Sequence, residues 1–142
     1  MHLYLAALYT SSFNKRGPVY QRLDERERRA RDEVRNNLES YHYIFKETQT
    51  RRIREDGTRV FLDSGAFSAF TQGVDIDLPG YVDYIKRNSD IVRVDDGILC
   101  ASVLDGIGDP LKTYQNQKHM EYLGVQPLPC FHYGEDERYL EY

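Results

Sequence analysis

Short apolar runs alternate with charge-dense stretches along this chain, and their spacing predicts the elements. Leu3 to Leu8 reads as a short buried strand. Thr10 to Gly17 is polar, carries a Gly-Pro break and reads as a loop. From Asp24 to about Tyr41, apolar residues recur every three to four positions among interleaved charges, apart from one longer gap. That pattern predicts a charged helix. Tyr41 to Phe45 fits a strand and a helix equally, and Thr48 to Glu55 predicts a short helix ending before Asp56-Gly57.

A regular rhythm follows. Arg59–Leu62 predicts a strand, Pro79–Asn88 a helix with Tyr81, Val82, Tyr84 and Ile85 on its apolar face, and Ile98–Leu104 a strand. Asp109–Leu123 predicts a helix with Pro110 in its first turn, ending at Gly124, then Gln126–Phe131 a strand and Asp136–Tyr142 the opening of another helix. Strand, helix, strand, helix, strand is the signature of parallel βα units, and continuous apolar runs suit strands covered on both faces. The fold class expected is α/β.

The chain of 142 residues is one ordinary domain in size, with enough apolar residues (40%) to build a core. It divides into residues 1–57, a first strand with a helical crossover, and residues 58–142, three βα units. The net charge of −4 hides an asymmetry: residues 1–60 hold 13 Lys+Arg against 9 Asp+Glu, and residues 61–142 hold 6 against 14. The basic surplus can meet phosphates, through Arg51, Arg52 and Arg54 with Arg26, Arg28 and Arg29, or form a solvated helix face. Cys100 and Cys130 match neither a disulfide framework nor a zinc spacing and read as small buried hydrophobes. His2, His42 and His119 are scattered, so neither metal nor cofactor is expected. No run approaches the roughly 20 apolar residues of a membrane span, and the reading is a soluble protein of a reducing compartment, with no membrane partner.

The chemistry-bearing residues cluster at predicted strand exits. Asp63-Ser64-Gly65 follows one strand, Asp105 the next, and His132-Tyr133-Gly134 the last. In parallel α/β folds, ligands bind at the carboxyl ends of strands. Asp63 serves equally well as a helix cap or turn former, and Asp105 as part of a glycine-shaped turn. His132 also fits a core histidine. Asp109-Pro110 reads as a cap, and Asp95-Asp96-Gly97 as a plain turn. Two carboxylates at one mouth can divide the work of moving a proton and gripping a polar ring, and Phe67, four residues past Asp63, offers a ring for stacking.

The stretch FLDSGAFSAFT resembles the DSGGFQ-type motif of the tRNA-guanine transglycosylases, the queuine and archaeosine tRNA-ribosyltransferases. It is closer still to their phage and bacterial (DpdA-like) relatives, which insert 7-deazaguanines into DNA. VLDGIGDPLKTYQNQKHMEYLGV and PLPCFHYGEDERYL resemble the following segments in the same order, so the likeness spans roughly residues 58–142. It implies about half of a (βα)8 TIM-type barrel, and exchange of a guanine in DNA or tRNA for a 7-deazaguanine base. By position, Asp63 would be the catalytic proton shuttle beside the glycosidic bond, Ser64 would assist binding, and Phe67 would stack on the base. Asp105 would accept its ring N–H and amino groups. His132, Tyr133 and Gly134 would stand in the family's Gln-Gly region.

Ser68 stands where the tRNA enzymes usually have glutamine, which points to the DNA branch or to an uncharacterised one. The family's nucleophilic aspartate and structural zinc belong to later barrel segments. The expectation is therefore a partial chain, truncated, split or completed by a second chain, inactive alone, in the cytoplasm of a bacterium or phage-infected host cell. Two other readings use the same residues: a non-catalytic nucleic-acid-binding or scaffold module on a degenerate barrel, and a sugar hydrolase whose two aspartates form its acid pair.

Overall fold

The computed structural model describes residues 3–10 and 14–140. Its framework is a parallel sheet, β1 (Leu5–Ala6), β2 (Asn36–Ser40) and β3 (Arg59–Asp63), with β2 in the middle. Parallel bridges extend it from Val60 to Val92, Leu62 to Ala101 and Ser102 to Leu128. Five chain segments thus lie side by side in chain order. The α/β class and parallel pairing agree with the sequence pattern.

The helices come from local signals. In α2 (Glu25–Asp32), Asp24 and Glu27 form a reciprocal capping box: the Glu27 N–H donates to Asp24 at 2.8 Å, and the Asp24 N–H to Glu27 at 2.9 Å. α1 (Pro18–Arg22), α3 (Tyr41–Ile44), α4 (Glu47–Glu55) and α5 (Ala66–Thr71) are short. α6 (Leu78–Arg87) starts at an Asp77 cap. α7 (Pro110–Tyr122) starts at Asp109, whose side chain accepts the Lys112 N–H at 3.0 Å, and Gly124 closes it at φ 85°.

One face of the sheet is sealed and the other half-open. On β3, Val60 and Leu62 are buried, whereas Phe61 and Asp63 between and beyond them are partly exposed. The sealed face packs in one cluster with Ile53 of α4, Tyr81, Val82, Tyr84 and Ile85 of α6, and Met120 of α7. Each such side chain contributes roughly 1.5–3 kcal/mol by leaving water. Two tyrosine hydroxyls stitch these layers: Tyr84 meets Thr50 at 2.8 Å, and Tyr81 donates to the Ser102 carbonyl at 2.8 Å.

Several expectations are corrected. The helix expected from Asp24 to Tyr41 ends at Asp32, and Asn36–Ser40 is the central strand β2. The described residues of 1–57 therefore hold two strands. β2's inward positions are polar, Asn37 and Glu39, so no apolar rhythm announced it. The first strand is only two residues long and exposed, with burial starting at Leu8 and Tyr9. The run Ile98–Leu104 is not one strand. Val94–Asp95 and Ile98–Leu99 form an antiparallel hairpin, β4 and β5, that leaves the sheet at Arg93 and returns at Cys100. Its turn is Asp96-Gly97, both at positive φ (49° and 81°), as a tight hairpin requires. Gln126–Phe131 contributes the single bridge at Leu128, and the last predicted helix is a 3₁₀ turn at Glu137–Tyr139. Residues 141–142 of that helix, His2, and 11–13 of the first loop lie outside the described residues. No helix among the described residues is long and apolar enough to cross a membrane.

Candidate functional site

Asp63 ends β3 directly beside Ser40, the last residue of β2. The Ser40 hydroxyl donates to Asp63 Oδ2 at 2.8 Å, and the Gly65 N–H to the same oxygen at 2.9 Å. The Ser102 hydroxyl donates to Oδ1 at 3.4 Å. Three strand ends thus orient one carboxylate. The glycine behind it is required twice over: Gly65 sits at φ 78°, and a Cβ there would stand 2.6 Å from the His42 Cβ.

Ser64 turns inward. It is 2% exposed, its N–H donates to Ser102 Oγ at 2.9 Å, and its hydroxyl accepts the Ala66 N–H at 3.3 Å. It shapes the turn. Phe67 is 66% exposed on α5. The aromatic ring that lines a cleft here is Phe70, which the sequence reading passed over. That cleft, of about 210 Å³, has apolar walls from Ala66, Phe70, Ile76, Leu104 and Ile107, and Asp75, Asp105, Lys112 and Asn116 supply its polar lining.

Asp105 follows the fourth strand position and is largely buried, with 14% of its side chain exposed. The Thr113 hydroxyl accepts the Gly106 N–H at 2.9 Å and donates to Asp105 Oδ1 at 3.0 Å. Oδ2 faces His132 Nε2 at 2.9 Å. His132 in turn meets Glu135: ring Nδ1 to Oε1 at 2.8 Å, and backbone N–H to Oε2 at 3.0 Å. Held between two carboxylates, first Glu135 and then Asp105, the imidazole is raised above its ordinary pKa of 6.5, against a lowering by burial.

Cys130 is exposed, not the buried hydrophobe its apolar run suggested. Its thiol lies with an Asp105 oxygen and a His132 ring nitrogen, all within 4.8 Å of one another. Burial raises its pKa first, and then the charges of Asp105, Asp63 and Glu135 raise it further. The same thiol therefore senses Asp63 and Asp105, as the convergence of successive strand ends demands. The sequence spacing of 105, 130 and 132 gave no sign of this triad, and Glu135 was also passed over.

Tyr133 projects fully into solvent, and Gly134, at φ 88°, has open space where a side chain would begin. The arginines lie elsewhere. Arg54 forks onto Asp90 at 2.5 and 3.0 Å and reaches Asn88 at 3.0 Å, both ahead of the fourth strand position and so at the opposite edge from Asp63. Arg51 pairs with Glu55 at 3.7 Å, Arg52 donates to Gln49 at 3.2 Å, and Arg29 pairs with Glu33 at 3.1 Å. These pairs fit a solvated helix surface.

No family model, curated protein or solved structure matches this chain.

Proposed function

We propose that the chain forms about half of a (βα)8 barrel of the transglycosylase type, and that its carboxyl-end edge grips a 7-deazaguanine base for exchange with guanine in DNA or tRNA. The five parallel segments in chain order, at β1, β2, β3, Ala101–Ser102 and Leu128, support the barrel. The observation that carries the function is the pair of positioned carboxylates. Asp63 is fixed by Ser40, Gly65 and Ser102, and Asp105 is fixed by Thr113 beside an apolar cleft. A carboxylate can accept two parallel N–H bonds from a ring N–H and its neighbouring amino group, the edge a 7-deazaguanine presents. Apolar walls suit the flat faces of the ring, with Phe70 the residue placed for that role.

In this reading Asp63 moves the proton at the glycosidic bond. By the resemblance, the nucleophile that attacks the sugar belongs to a later barrel segment, and Asp63 and Asp105 supply the base-gripping side of the site. Ser64 acts by holding the turn under Asp63. Asp105 Oδ2 must turn from His132 or share its lone pairs with the base.

The test is calorimetric titration of the metal-free chain with 7-cyano- and 7-aminomethyl-7-deazaguanine, against Asp105→Ala. Saturable binding by the native chain, lost in the variant, supports the base pocket. Folded protein that binds neither base removes it. Binding that survives in Asp105→Ala would also reject Asp105 as the gripping residue.

A further inference from the structure

Three donor types converge where the fourth and fifth strand positions end: a carboxylate, a thiol and an imidazole. We propose that Asp105, Cys130 and His132 form a binding site for a divalent transition-metal ion, zinc by its donor set, with Glu135 as the carboxylate that orients His132. This inference goes beyond the base-exchange reading and stands without it; an ion on Asp105 and a base gripped by Asp105 are alternative occupants of one carboxylate.

The donor atoms already lie close together. One ligand atom from each residue falls within 4.8 Å of the other two, and Asp105 Oδ2 lies 2.9 Å from His132 Nε2. Ligand atoms about 2.0–2.3 Å from a tetrahedral zinc stand about 3.3–3.7 Å apart, so small side-chain rotations close the shell. Three protein donors of S, N and O type leave one position for water or another ligand, the pattern of an open zinc site.

The histidine already has the outer contact that a metal ligand uses. A metal-bound imidazole uses one nitrogen for the ion and donates the other N–H to a carboxylate. Glu135 is already there: Oε1 is 2.8 Å from Nδ1, and Oε2 accepts the His132 backbone N–H at 3.0 Å. This leaves Nε2 directed at Asp105. In the absence of metal, a proton on Nε2 bridges to Oδ2. A cation in its place takes the same two atoms and adds the thiolate.

A divalent ion there takes the thiol as thiolate and compensates the carboxylates gathered around it. The bound ion ties the segment at 130–135 to Asp105.

Cobalt(II) titration of the chain, without any base present, tests the site. The expected result is one cobalt per chain, with the intense visible bands of a four-coordinate ion and a thiolate-to-cobalt charge-transfer band, all displaced by zinc. Cys130→Ser should abolish the charge-transfer band, whereas Cys100→Ser should keep it. Glu135→Gln should weaken binding about 10- to 100-fold while leaving the band in place at saturation. Absence of the charge-transfer band from folded native chain overturns the proposal, as does its persistence in Cys130→Ser. If Cys130→Ser does not fold, His132→Ala decides: unchanged cobalt affinity in that variant also overturns it. Because the base titration is run free of metal and this one free of base, either result can fail alone.

Discussion

Replacing Glu39 by glutamine should flatten the pH dependence of stability between pH 5 and 8. Glu39 sits on the sealed face of the central strand, 1% exposed. It accepts the Tyr9 N–H at 2.8 Å and the Thr10 hydroxyl at 3.5 Å. Burial outweighs these bonds and the nearby Arg31 charge, and raises its pKa from 4.5 to about 7. Between those values the native carboxyl keeps a proton that the unfolded chain has lost, so stability falls as pH rises. The contribution is complete below pH 4.5 and gone above about 7. Each pH unit in that interval is worth about 1.4 kcal/mol, so the loss from pH 5 to 8 is on the order of 2 to 3 kcal/mol. The assay is urea unfolding of both proteins at several pH values. Other titrations, such as those of His132 and Asp90, cancel in the difference between them. The native chain should lose about 2 to 3 kcal/mol relative to Glu39→Gln over this range. Parallel stability curves for the two proteins would refute the reasoning.

Other expected outcomes follow from single residues. Gly65→Ala should cost about 2 kcal/mol or more in denaturant unfolding, since it combines a left-handed backbone with the 2.6 Å approach to His42. Leu62→Ala, on a fully buried side chain, should cost about 2–5 kcal/mol in the same assay. The His132 ring should titrate by NMR above 6.5 in the metal-free chain, and Glu135→Gln should lower its midpoint. An unmoved midpoint would show that Glu135 does not hold the imidazole.

Much of the second half of the chain was legible. Val60 and Leu62, the Asp109-Pro110 helix start and the Asp96-Gly97 turn all carry local signals that the fold obeys. β2 was hidden because its buried positions are Asn37 and Glu39, residues whose polarity mimics a helix surface. Ile98–Leu104 reads as continuous because hairpin and sheet residues are both apolar. Only tertiary pairing separates Leu99, in the hairpin, from Ala101, in the sheet. The strand-end acids could be placed from pattern alone. The meeting of Asp105 with Cys130, His132 and Glu135 could not, because it joins two loops 25 residues or more apart in sequence.

The account rests on Asp105 gripping the donor edge of a base. The most direct test compares the dissociation constants of 7-cyano-7-deazaguanine and its analogue lacking the 2-amino group, for the native chain and Asp105→Ala. A hydrogen bond to a charged acceptor is worth about 1.5–3 kcal/mol, so the native chain should bind the analogue roughly 10- to 150-fold more weakly, and the variant should not distinguish the two. Equal affinity of the native chain for both compounds would contradict the account.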